Sequence, residues 1–209
     1  MRKIKILLLA VLSAGWLIPG VVMGQPSLHG SLSGSLGPGA YIVDGDCQVQ
    51  AGNTLTIQPG TSLLFAGHYA IYVYGQLNAV GTEQDSILFV RRYPTEECKH
   101  GGIRFQSGSS SSSSLAYCWI DYANNTLYPN YYGGGIYVQN VGITITNCRI
   151  SNCYATYGGG LYITGAAATI DGCIFFANTS GNGGGIHLYN SSNSVVKNCI
   201  LAKNGSTST

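Results

Sequence analysis

The block Gly133-Gly134-Gly135-Ile136 returns as Gly158-Gly159-Gly160-Leu161 and again as Gly183-Gly184-Gly185-Ile186, each time after 25 residues. A fixed period of this length restricts a chain to architectures in which one small unit stacks on the next. The rest of the unit keeps the step. Thr146-Asn147-Cys148-Arg149-Ile150 aligns with Asp171-Gly172-Cys173-Ile174-Phe175 and then with Lys197-Asn198-Cys199-Ile200-Leu201. An Asn follows each block, at Asn152, Asn178 and Asn204. A looser copy opens at Gly101-Gly102-Ile103 and runs through Ala116-Tyr117-Cys118-Trp119-Ile120 to Asn124. It is stretched by a serine tract, 109–114, and by a Tyr- and Asn-rich insertion, 124–132.

Within one unit the apolar residues alternate. Ile136 and Val138 flank Tyr137, and Ile and Thr alternate from Ile143 to Thr146. Period two marks a strand with one buried face. Cys148 and Ile150 restart the alternation after Asn147. Each unit therefore holds two or three short strands, broken by Asn, Gly and Ser, which tolerate the positive φ of a tight corner. A chain winding once per unit puts equivalent residues above one another, about 4.8 Å apart, with each strand parallel to its copy. Three interior stacks follow: Ile136, Leu161 and Ile186; Ile120, Ile150, Phe175 and Leu201; Cys118, Cys148, Cys173 and Cys199. Asn152, Asn178 and Asn204 are expected to form an amide ladder at one corner, and the triple Gly another corner. A leucine-rich repeat would need its Leu pattern and a helical half, and a propeller a unit of about 40 residues. The expectation is an all-β, right-handed parallel β-helix of about six coils.

The N-terminal half is less regular. Leu55 and Ile57 alternate before the turn Pro59-Gly60, and 71–77 and 86–90 read as further strands. Residues 25–39, rich in Ser, Gly and Leu, show no clear periodicity and read as a leader into a β-helix spanning 40–209. Residues 1–24 read as a secretory signal peptide: Arg2, Lys3 and Lys5 precede an apolar stretch from Ile6 to Val22, and cleavage is expected before Gln25. The chain stops just after a repeat with no polar terminal coil, which is expected of a truncated solenoid.

These residues carry a resemblance. Thr54-Leu55-Thr56-Ile57-Gln58-Pro59-Gly60, followed by Gly75-Gln76-Leu77-Asn78-Ala79-Val80-Gly81-Thr82, Ile87-Leu88-Phe89 and Gly101-Gly102-Ile103, resembles the N-terminal coils of secreted bacterial β-helix proteins with the pectin-lyase-like fold. The Gly-Gly-Gly-Ile and Asn-Cys-x-Ile units are similar to the repeats of polymorphic outer-membrane proteins. The resemblance implies fold and export. It says less about activity, because the fold hosts lyases, hydrolases and adhesins alike.

Only 9% of residues are charged and the formal net charge is +2, which excludes a polybasic nucleic-acid surface. The scattered basic residues, Arg104 among them, read as solvated surface charges. Lyase- or hydrolase-type chemistry needs carboxylates that converge. The acids are Asp44, Asp46, Glu83, Asp85, Glu96, Glu97, Asp121 and Asp171. Asp121 and Asp171 take different places in the repeat and are expected on different faces, so no catalytic residue is assigned. His29, His68, His100 and His187 are dispersed, and Cys98 with His100 is a faint metal pair. No metal and no cofactor is assigned. The four stacked Cys are read by default as buried thiols; an export route permits disulfides, and the odd total of seven Cys leaves at least one thiol unpaired or intermolecular.

The aromatic residues point to contact with a ligand. Tyr137, Tyr162 and His187 are equivalent positions of successive units, and the insertion adds Tyr128, Tyr131 and Tyr132. Stacked exposed rings bind sugar rings or another surface. The sequence thus predicts an exported, non-catalytic β-helix scaffold for surface display, adhesion or glycan binding. Its expected partner is a polysaccharide or cell-surface component, and its location secreted or on a bacterial surface. Membrane contact would come only through the export signal or a missing C-terminal anchor. The alternative is the N-terminal part of a polysaccharide lyase or glycoside hydrolase whose catalytic coils lie beyond this chain.

Overall fold

The computed structural model describes residues 24–95, 99–126, 131–191 and 193–206. The signal-peptide segment, apart from Gly24, lies outside them, as do Glu96, Glu97, Cys98 and Tyr128. Among the described residues no helix is long and apolar enough to cross a membrane.

The described residues form strands that wind repeatedly around one core and pair in parallel with the strand one winding away. Three faces result. An aromatic face runs through the end of Gly39–Val49, then Ala70–Val73, Gly102–Phe105, Ile136–Gln139, Leu161–Thr164 and Ile186–Tyr189. A threonine face has seven strands: Gly34–Leu36, Thr54–Ile57, Gln76–Val80, Ser114–Ala116, Thr144–Thr146, Thr169–Asp171 and Val195–Lys197. A cysteine face runs through the start of Gly39–Val49, then Thr61–Phe65, Ile87–Arg91, Cys118–Asp121, Arg149–Ser151, Ile174–Phe176 and Ile200–Ala202. The last four windings add a short arm, Asn124–Asn125, Tyr154–Tyr157, Thr179–Asn182 and Gly205–Ser206.

Strand Ser27–Ser31 pairs with both halves of Gly39–Val49, and Gly34–Leu36 pairs with Thr54–Ile57. The segment read as an aperiodic leader therefore carries the first winding, which makes seven windings where about six were expected. Its hydrophobic alternation is thin, with only Leu28 buried and Leu32 and Leu36 partly so, which hid it.

All three interior stacks form in register. Cys47, Ile71, Ile103, Ile136, Leu161 and Ile186 face one another across the aromatic face. Leu63, Phe89, Ile120, Ile150, Phe175 and Leu201 do so across the cysteine face. Burying a Phe, Leu or Ile side chain is worth roughly 1.5–3 kcal/mol, and these columns share the core with the inward residues of the threonine face, Leu55, Leu77, Leu115, Ile145 and Ile170 among them.

The cysteine column has a second role. The amide of Cys118 donates to Cys148 Sγ, and the amide of Cys148 to Cys173 Sγ, each at 3.4 Å. The thiol of Cys118 donates to Ala79 O at 3.3 Å and that of Cys148 to Thr146 O at 3.3 Å. The column satisfies backbone groups at a corner where the ladder turns. All six described cysteines are free.

The asparagine ladder differs from the expectation. Asn178 Oδ1 accepts from the Cys153 amide at 3.0 Å, and Asn204 Oδ1 from the Asn178 amide at 3.0 Å. Asn178 Nδ2 donates to Ile150 O and Asn204 Nδ2 to Phe175 O, each at 2.9 Å. Cys153, not Asn152, is thus the equivalent of Asn178. Asn152 sits one residue earlier, at the positive-φ corner shared with Tyr122, Ala177 and Lys203. At the triple-Gly corner the backbones of successive windings run so close that a Cβ on Gly134 would lie 2.1 Å from Gly159 O.

Candidate functional site

On the aromatic face, strand alternation sends every second side chain outward. Tyr72, Arg104, Tyr137, Tyr162 and His187 are Cα partners in that outward phase. The rings of Tyr137 and Tyr162 stack at 5.9 Å and 18°, and those of Tyr162 and His187 at 5.0 Å and 25°. The sequence-predicted residues Tyr137, Tyr162 and His187 therefore form one continuous column.

The end of the insertion, Tyr131 and Tyr132, lies against this column. Tyr132 places its ring 4.8 Å from Tyr162, 5.4 Å from Tyr157 and 6.2 Å from Tyr137. Tyr131 meets Tyr132 edge-on at 6.4 Å. Five of the six predicted contact residues are thus brought together, and Tyr128 lies outside the described residues. The column is less open than the alternation implies: Tyr162 keeps 6% of its surface exposed, while Tyr131, Tyr132, Tyr137 and His187 are half-buried. Burial and the surrounding phenols push the Tyr162 hydroxyl up to about 12, and burial raises that of Tyr137 against the pull of Arg104. Tyr137 and Tyr162 are therefore neutral at ordinary pH.

Arg104 is 2% exposed and not the solvated charge that the sequence suggests. Its guanidinium lies 4.9 Å from the Tyr137 ring centre. It donates to Tyr132 O at 3.0 Å, and to Gly101 O and Gly133 O at 3.4 Å each. Burial lowers its pKa to about 10, which leaves it charged at neutral pH. A buried cation needs compensation. Here carbonyl oxygens and a ring supply it, and they tie the end of the insertion to the column. Outward alternation alone reads such a residue as exposed, and only the fold of the insertion covers it.

Asp121 and Asp171 lie apart. Asp121 lies on the cysteine face, accepting from Ser151 Oγ at 2.7 Å and Asn152 Nδ2 at 2.8 Å, and burial raises its pKa. Asp171 lies on the threonine face, held by Asn198 Nδ2 at 2.7 Å and Lys197 Nζ at 3.4 Å. The expectation that they occupy different faces agrees with the register. Asp44 pairs with His29 at 2.9 Å near the first windings.

The metal candidate His100 is committed elsewhere. It is fully buried and stacks on Phe65 at 4.2 Å. Its Nδ1 accepts from the Gly102 amide at 3.1 Å, and its Nε2 lies 3.0 Å from Asp121 O, so both ring nitrogens are occupied. Burial drives its pKa down to about 4. Among the described residues no group of three or more His, Cys, Asp or Glu side chains is arranged to hold a metal ion.

Residues 116–208 match the family model described as "Right handed beta helix region". The match begins in the looser copy, one winding before the period becomes regular, and with the parallel stacked sheets it defines the fold as a right-handed parallel β-helix. No curated protein and no solved structure matches the chain.

Proposed function

We propose that this protein is an exported, non-catalytic β-helix rod that contacts carbohydrate, or another component of a bacterial cell surface, through its outer faces. The observation that carries the reading is the column of Tyr137, Tyr162 and His187, with Tyr131, Tyr132 and Tyr157 gathered against it. Aromatic rings and hydroxyls suit the apolar faces and hydroxyl edges of sugars. The separation of Asp121 from Asp171, each with its own hydrogen-bond partners, argues for contact rather than cleavage.

The test has two parts. Expression with the native N-terminus followed by mass analysis of the exported chain is expected to show a first residue of Gln25. The exported protein, run through gels containing neutral or acidic polysaccharide, is expected to be retarded without releasing reducing ends. Release of reducing ends or of unsaturated oligosaccharide would show an enzyme instead.

A further inference from the structure

The corner between the aromatic and threonine faces carries a cleft that the column does not use. Three successive windings line it: Gly52, Asn53 and Thr54; Tyr74, Gly75 and Gln76; Gly108 and Ser110. Its volume is about 240 Å³. Gly75 forms the floor, where a Cβ would lie 2.2 Å from Gln50 O and 2.3 Å from Asn53 O, so only glycine lets the windings close beneath the cleft. Tyr74 stands beside it with 39% of its surface exposed. Gln76 Nε2 is held by Asn78 Oδ1 at 3.1 Å, which fixes the amide at the rim. Thr54 and Asn53 are exposed, and Ser110 is half-buried.

We infer that this cleft is a subsite for an uncharged sugar ring, stacked on Tyr74 and hydrogen-bonded by Asn53, Thr54, Gln76 and Ser110. The inference rests on the carbohydrate-binding reading and names the ligand class within it. Every lining side chain is neutral. An acidic sugar would need a cation to offset the desolvation of its carboxylate, and this cleft offers none. A ring against an exposed Tyr with a few fixed hydrogen-bonding groups is the usual chemistry of a small polar site.

A second cleft sits on the same corner further along the rod. It has a volume of about 180 Å³ and is lined by Gly165, Ala166, Ala167, Asn190 and Asn193. At about 4.8 Å per winding, the two are roughly 15–20 Å apart along the axis. A linear neutral glycan lying parallel to the rod would reach both.

The experiment is affinity electrophoresis of the exported chain in gels carrying a neutral β-glucan, a neutral galactan or anionic polygalacturonate. Wild-type protein is expected to be retarded by a neutral gel. Tyr74→Ala is expected to weaken that retardation about tenfold, as loss of one ring contact would, while Tyr74→Phe keeps it. Asn53→Ala, an exposed change whose backbone carbonyl still accepts from Gln76 N, is expected to weaken it less and tests the cleft even if Tyr74→Ala misfolds. Retardation unaffected by Tyr74→Ala and Asn53→Ala would overturn the subsite and leave the proposed function standing. Retardation only by polygalacturonate would overturn the assignment to an uncharged sugar. Retardation by none of the gels would overturn carbohydrate binding itself, and the subsite with it.

Discussion

Along the inner column of the cysteine face the partners are Tyr41, Leu63, Phe89, Ile120, Ile150, Phe175 and Leu201, at steps of 22, 26, 31, 30, 25 and 26 residues. The early windings therefore differ in length by up to nine residues, while the late ones are nearly equal. Inside the rod both halves bury large apolar side chains, with Phe89 and Phe175 each at zero exposure, while Leu201 in the last winding is 53% exposed. What keeps register is the set of side chains that point inward. Extra residues fall between the strands that keep register, as the serine tract does at the turn into Ser114–Ala116. A solenoid tolerates this because each winding contacts only its neighbours.

If inward residues set register regardless of winding length, equal burial must cost equally when lost. Phe89→Ala and Phe175→Ala are each expected to destabilise by about 3–5 kcal/mol. Ile174→Ala, on the outward phase and partly exposed, is expected to cost well under either. Urea midpoints with unchanged m-values measure all three. A Phe175→Ala cost much below that of Phe89→Ala would break the comparison, since the regular windings would then be loosely packed.

The sequence shows most clearly what repeats at a constant step. The Ile and Phe columns and the Cys column were legible because alternation and period agreed. The asparagine ladder was legible in kind but shifted by one residue. Asn152 and Asn178 are 26 residues apart where that winding is 25 long, so Cys153 takes the ladder position. The first winding was illegible because Ser and Gly replace the inward apolar residues there. Tyr137, Tyr162 and His187 were found as a column from period alone. Their covering by Tyr132, the burial of Arg104 and the cleft beside Tyr74 depend on where irregular segments fold back, and no periodicity reports that.

A second contrast lies in titration. The irregular half buries His100 in its interior, whereas His187 of the regular windings sits on the outward column. The folded pKa of His100, near 4, is below the unfolded value of 6.5. Between these values the unfolded chain binds the extra proton, so stability is fully present above about pH 6.5 and falls as pH drops towards 4. The loss approaches about 3 kcal/mol. Asp121, with its raised pKa, works in the opposite direction over part of the range. The difference between wild type and His100→Gln isolates the histidine. Urea midpoints at pH 7.5 and 4.5 are expected to diverge more for wild type than for the variant, and equal divergence would reject the buried neutral imidazole.

Among the described residues the corner ladder runs through the later windings, at Cys153, Asn178 and Asn204. Asn178→Ala strips partners from the Cys153 amide and the Ile150 carbonyl, both inside the rod. The expected cost is about 1–3 kcal/mol. Asn204→Ala, at a half-buried position, should cost less. Amide hydrogen exchange at Cys153 is expected to accelerate in Asn178→Ala while Phe89, in the irregular half, keeps its protection. Loss of protection at both would mean that the windings unfold as one unit rather than by neighbours.

The smallest effect tests how the regular corner is held. Ala177 adopts φ of 54°, alongside Tyr122, Asn152 and Lys203 at the equivalent corner. A left-handed conformation costs an alanine about 1 kcal/mol, and glycine avoids that cost while losing more entropy on folding. Ala177→Gly is therefore expected to stabilise by about 0.5 kcal/mol. Asn152→Gly should gain nothing, because it forfeits the 2.8 Å hydrogen bond from Nδ2 to Asp121. The sign of the difference is informative even at this size. If Ala177→Gly destabilises, the methyl group contributes to the corner through packing, and the regular windings depend on side-chain fit as closely as the irregular ones.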